Sequence, residues 1–158
     1  VGVEIERKFL VTSQDWRDLA DGIDYRQGYL STVKERTVRV RTVGQRGYLT
    51  VKGLTVGAMR SEFEYEIPRV DADQMIDHLC ERPIIFKTRY TVPHRGHIWE
   101  IDDFHLENAG LIVAEVELSD QDEWFAMPPW IGKEVTGDPR YFNANLIAHP
   151  FSEWATDG

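Results

Sequence analysis

Glu4, Glu6 and Lys8 sit at every second position of a short segment in which Val3, Ile5, Phe9 and Val11 fall on the alternate positions. In a β-strand, residues two apart share one face, so these charges point one way and the apolar groups the other. The same spacing returns in Arg39/Arg41, Glu62/Glu64/Glu66, Lys87/Arg89, Glu100/Asp102 and Glu115/Glu117. Apolar groups again oppose them: Val38 and Val40; Phe63, Tyr65 and Ile67; Val113, Val116 and Leu118. Like charges two apart on a strand lie roughly 6–7 Å from each other and destabilise a fold unless something offsets them. If these faces converge, they form a cavity holding fixed cations beside a cluster of carboxylates. That chemistry suits a polyanion together with a divalent metal.

Lys8, Arg39, Arg41, Lys52, Lys87 and Arg89 are the candidate anion ligands. Arginine offers a planar fork matched to phosphate oxygens, and lysine a mobile point charge. Glu4, Glu6, Asp102, Glu115 and Glu117 are hard oxygen donors of the kind Mg²⁺ or Mn²⁺ takes alongside water and phosphate. A solvated strand face would explain any one pair, but not the whole set placed opposite apolar faces. Charge balance inside a barrel is the plainer account of the acids. His78, His94, His97, His105 and His149 show no zinc spacing, and neither a G-x-S-x-G elbow nor a P-loop occurs.

Turn chemistry divides the chain into strands near 2–11, 25–32, 36–43, 47–53, 59–69, 84–93, 97–105 and 111–119. Gly44 to Gly47 and Pro93 to Gly96 read as hairpin loops. Helices are expected from Thr12 past Trp16, from Asp71 to about Glu81, from Ser119 through Trp124 to Met127, and from Asn143 to Pro150. Eight strands joined mainly by tight turns give an α+β, mainly β fold: a closed eight-stranded antiparallel barrel with a charged interior and helices packed outside. No linker or repeat interrupts residues 1–158, so one domain is expected.

The net charge of −9 argues against a nucleic-acid surface, although a few cations can still be gathered in one cavity. No apolar run reaches membrane-spanning length, no signal-peptide pattern precedes the first strand, and the single cysteine fits a reducing, cytoplasmic setting. The neighbours of Cys80 (Met75, Ile76 and Leu79) mark it as a packing residue.

The segment Glu4-Ile5-Glu6-Arg7-Lys8 resembles the E-x-E-x-K signature of the CYTH superfamily, the triphosphate tunnel metalloenzymes. The likeness continues in order through Arg26 to Leu30, Arg39-Val40-Arg41, Thr50-Val51-Lys52, Glu64 to Ile67, Lys87 to Tyr90, Glu100-Ile101-Asp102, Glu115-Val116-Glu117, Glu134 to Asp138, and Arg140-Tyr141. This resemblance implies an eight-stranded tunnel that binds triphosphates and needs a divalent cation. It places Lys8, Arg39, Arg41, Lys52, Lys87 and Arg89 on phosphate, with Glu64 on the same inner face. Glu4, Glu6, Glu115 and Glu117, with Asp102 nearby, would hold Mg²⁺ or Mn²⁺. Glu4, Glu6, Lys8 and Asp102 would act in catalysis. Lys133 or Arg140 is a candidate to close one mouth.

The leading expectation is metal-dependent hydrolysis of inorganic tripolyphosphate to pyrophosphate and phosphate. A class IV-like adenylyl cyclase, a thiamine triphosphatase and a non-catalytic polyphosphate- or nucleotide-binding module remain alternatives. The partner expected is a small-molecule triphosphate rather than nucleic acid or membrane, and association into a homodimer is compatible with the sequence.

Overall fold

The computed structural model describes residues 2–156. The alternating segments become β1 (Gly2–Val11), β2 (Ile23–Ser31), β3 (Arg36–Val43), β4 (Arg46–Gly53), β5 (Met59–Ile67), β6 (Ile85–His94), β7 (His97–Phe104) and β8 (Ile112–Glu117). A short β9 (Ile131–Glu134) is added. Neighbours pair antiparallel in the order β5-β4-β3-β2-β6-β7-β8-β1-β9, and β5 pairs again with β1. That last pairing, from Gly2 against Glu62 to Ile5 against Met59, closes eight strands into a barrel. Beyond Ile5, β9 takes over beside β1, with Phe9 opposite Glu134 and Val11 opposite Ile131.

Local chemistry explains the strand ends. β5 stops at Ile67 because Pro68 follows, and Pro68 is the N-cap of α1 (Arg69–His78). Asp71, expected as a cap, lies in the first turn, where its charge complements the helix dipole. The β6–β7 turn puts Arg95 at φ 47° and Gly96 at φ 86°, the pair of positive angles that a two-residue hairpin of right-handed twist requires.

Two apolar layers cover the outer wall. Phe9, Trp16, Trp99, Val116, Phe125 and Trp130 form one, and burying each large side chain contributes about 1.5–3 kcal/mol. In the other, α1 lays Ala72 and Ile76 on Val40, with Cys80 buried among them as a packing residue. Gly28 of β2 permits this approach, since a Cβ there would meet Cys80 Cβ at 2.8 Å.

The third cluster departs from expectation. Tyr29, Ile85, Phe104 and Val113 share the inward parity of Gln27, Lys87, Asp102 and Glu115, and they pack against Tyr141, Ala144, Leu146 and Ile147. Val113 is thus an inward residue, not part of the outer face. The C-terminal segment with α2 (Asn145–Ala148) therefore enters one end of the barrel instead of packing outside it. No helix forms over Ser119–Met127; the Glu123 carboxylate accepts the Ser119 N–H at 2.6 Å and bonds His97 Nε2 at 2.5 Å, fixing a turn. The segment from Thr12 makes a single 3₁₀ turn at Asp15–Asp18. Among the described residues, no helix is long and apolar enough to cross a membrane.

Candidate active site

Strand register brings the charged faces together. Lys8 lies opposite Glu115, Glu6 opposite Glu117, Glu115 opposite Glu100, and Arg89 opposite Asp102. Across the other wall, Arg39 faces Thr50, Thr37 faces Lys52, and Lys52 faces Glu62. Except for Asp102 and Thr50, which lie behind the wall, these side chains line one cavity of about 890 Å³, whose basic and acidic groups are nearly equal in number.

The cations are held at different depths. Lys87 is 2% exposed; its Nζ donates to Asp102 Oδ2 at 2.8 Å and to Asn143 Oδ1 at 3.2 Å. Arg89 Nε and Nη2 reach the two Asp102 oxygens at 2.7 and 2.9 Å. Burial, opposed by Asp102 and aided by Arg89, pulls the Lys87 ammonium down to about 7. Arg39 donates from Nη2 to Thr50 Oγ1 at 3.2 Å, and Arg41 from Nη2 to Glu64 Oε1 at 3.2 Å. The Nε–H groups of both arginines are buried without a partner. Burial, with Arg39 and Arg89 nearby, draws the Arg41 guanidinium down to about 10. Desolvated guanidinium donors left open beside like charges call for an anion.

The acids divide into two kinds. Burial alone would raise the Glu115 carboxyl, but Lys8, Arg89 and Lys87 outweigh it and hold it low. Glu6 goes the other way, raised well above the usual range by burial and by Glu115 and Glu4. Burial also raises Glu4, although Lys52 Nζ touches both its oxygens at 3.0 and 3.1 Å. Glu117 is raised by burial and by Glu4 and Glu62. Around Glu4, Glu6 and Glu117 the protein is thus short of positive charge.

Every expected anion ligand except Glu64 is a cation on this cavity wall. Glu64 is there too, but as the partner of Arg41, so it positions a guanidinium. Asp102 departs from the metal-ligand expectation: it is 1% exposed and both its oxygens are taken by Lys87 and Arg89. Lys133 and Arg140 do not line the cavity; Lys133 is exposed, and Arg140 bonds Asp138 at 3.0 Å.

Sequence reading missed Arg60, Lys34 and Asn143, and gave Glu62 no role beyond its charged face; all four are on the cavity wall. Arg60 shares the parity of Glu62 and Glu64, so the alternation was there to be extended. Asn143 carries no such signal, because only the folded C-terminal segment brings it to Lys87.

An antiparallel barrel with paired cations and carboxylates on its inner wall defines a class of polyanion-binding tunnel proteins. The chain matches the CYTH domain over residues 2–151 and belongs to that family. It is 49% identical over 154 residues to the inorganic triphosphatase of Acetivibrio thermocellus, covering 98% of this chain and 99% of that one. It is also 37% identical over 148 residues to the inorganic triphosphatase of Nitrosomonas europaea, covering 90% and 95% of the two chains. A crystal structure of an inorganic triphosphatase superposes with a TM-score of 0.64 at 33% identity, covering 90% of this chain and 96% of that chain.

Proposed function

We propose that this protein is a metal-dependent inorganic triphosphatase that hydrolyses tripolyphosphate to pyrophosphate and phosphate inside the barrel. The open Nε–H donors of Arg39 and Arg41, buried in a cavity with Lys8, Lys52, Lys87 and Arg89, carry this reading. The 49% identity to an inorganic triphosphatase supports the same substrate class.

A divalent cation fits the donor set. Among the described residues no three acidic or histidine side chains converge on one point. Mg²⁺ is commonly bound through one or two carboxylates plus substrate phosphates, so a preformed cage is not required. With basic and acidic groups nearly balanced on the wall, the protein alone cannot neutralise an incoming polyanion. The raised carboxyls of Glu4, Glu6 and Glu117 mark where positive charge is missing. We assign Glu4, Glu6, Glu115 and Glu117 to Mg²⁺ or Mn²⁺. Bound there, the ion would supply charge neutralisation on the phosphate oxygens.

The residues of the chain do the rest. Arg39, Arg41, Lys87 and Arg89 grip the phosphate chain and offset charge that spreads over the terminal oxygens as water attacks in line. Lys8 and Lys52, paired with Glu115 and Glu4 on the same wall, add their ammonium groups to this set. Glu6, beside the ion, would take the proton of the attacking water. The P–O bond to the leaving pyrophosphate breaks as the new one forms.

The test is phosphate release from tripolyphosphate, ATP and thiamine triphosphate with Mg²⁺ or Mn²⁺, with cyclic AMP followed in the ATP reaction. Rapid release from tripolyphosphate, abolished by EDTA and by Glu115→Gln, is expected. Cyclic AMP as the main product would reassign the cavity to a cyclase. Tight binding with no product from any substrate would leave a binding module.

A further inference from the structure

Asn143 belongs to no strand and to no charged motif, yet it touches the most buried cation of the cavity. Its Oδ1 accepts from Lys87 Nζ at 3.2 Å and from Gln27 Nε2 at 2.8 Å. An ammonium can only donate, so Asn143 must turn its oxygen toward Lys87. Gln27 must then offer its amide N–H, and its Oε1 is left buried without a partner. One ammonium thus fixes the orientation of two amides, and the arrangement persists although it strands a fully buried acceptor.

The backbone around Asn143 is equally constrained. Tyr141 and Ala144 on either side are buried in the apolar plug, and Phe142 faces Lys8, whose Nζ lies 5.4 Å from its ring centre. Lys87 on its own is a flexible stem carrying a point charge. Asp102 draws its ammonium toward the β6–β7 wall, and Arg89, bound to the same carboxylate, repels it. A second acceptor on the C-terminal side holds the ammonium at the cavity floor. Because that acceptor is a neutral amide, the charge of Lys87 is steered without being cancelled.

We infer that Asn143 is a positioning residue for triphosphate binding, acting through Lys87, so that the C-terminal plug forms part of the substrate site. The inference rests on the reading of Lys87 as a phosphate ligand.

Steady-state kinetics on tripolyphosphate with Asn143→Ala, Asn143→Asp, Lys87→Met and the Asn143→Ala/Lys87→Met double variant test it. Asn143→Ala is expected to raise KM about tenfold with kcat within about twofold, as for loss of a hydrogen bond to a charged group. In the Lys87→Met background the same change should add nothing. Asn143→Asp, unchanged in shape, should raise KM further, because its carboxylate neutralises Lys87; it also keeps the test alive if the alanine variant does not fold. An equal Asn143→Ala effect in both backgrounds would overturn the proposal, since the residue would then only hold the plug. An unchanged KM in Asn143→Ala would do the same while leaving the site reading intact. If Lys87→Met itself leaves KM unchanged, the phosphate role of Lys87 falls and the proposal falls with it.

Discussion

Asp102 grips Arg89 as a fork on a fork, Oδ1 taking Nε at 2.7 Å and Oδ2 taking Nη2 at 2.9 Å. Lys87 adds a third donor to Oδ2, and both the Lys87 and Asp102 side chains are almost wholly buried. The carboxylate is therefore a strut that aims two cations into the cavity.

Asp102→Asn should cost about 3–5 kcal/mol of stability, because it removes one partner of a buried ion pair and strands the others. Burial would raise the Asp102 carboxyl, but Arg89 and Lys87 hold it far below its ordinary value. Its stabilisation is then complete above the unfolded carboxylate range, near 4, and is lost as pH falls toward the folded value. Urea unfolding at pH 7 and pH 3 should show a smaller acid-induced loss in the variant than in the wild type.

Glu6 should behave in the opposite sense. Its raised carboxyl means that the folded state holds a proton the unfolded chain has released, so the metal-free protein loses stability as pH climbs from about 4.5 toward neutrality. Glu6→Gln removes that penalty. Its melting temperature without divalent ions at pH 7.5 should rise by roughly 2–6 °C, the equivalent of about 1–2 kcal/mol. Turnover should disappear in the same protein. A melting curve that falls instead would show that Glu6 is already neutralised.

Arg41 donates to Glu64 while its ring-side neighbours Tyr25 and Tyr48 lie 5.2 and 5.8 Å away. Arg41→Ala should weaken tripolyphosphate binding roughly ten- to hundredfold, as for a lost charge-assisted hydrogen bond. Arg41→Lys should recover only part of it, since an ammonium lacks the planar fork. Calorimetric titration of both variants measures the difference.

Gly28→Ala places a methyl group 2.8 Å from Cys80 Cβ and 3.0 Å from Ile84 Cδ1, outside the cavity. Overpacking of this kind costs about 1–3 kcal/mol. The melting temperature should drop while KM for tripolyphosphate stays at the wild-type value.

Alternation of charge and apolar groups made the eight barrel strands readable, because a period of two is a backbone property that survives without tertiary knowledge. It also placed Glu4, Lys52 and Arg89 on one inner wall. β9 escaped because Ile131–Glu134 is too short to show a period and is made a strand by Phe9 and Val11 of β1. The Ser119 segment looked like a helix start, but Glu123 bonds back to Ser119 and across to His97. Long-range packing likewise hid the roles of Asp102 and Asn143. A sequence shows that an aspartate points inward; only register shows that Arg89 and Lys87 have already used both its oxygens.

β1 pairs with β5 and β8 in the middle of the chain and with β9 near its end, while Asn143 arrives from later still. Contacts so distant in sequence form slowly and together. Lys87 and Arg89 meet the acids of β7 within a local meander, but the Lys52 ammonium of β4 meets the Glu4 carboxylate of β1 only across the β1–β5 seam. A chain open at that seam consequently has only part of the cationic wall, and enclosing a polyanion depends on pairing between the two most distant strands of the barrel order.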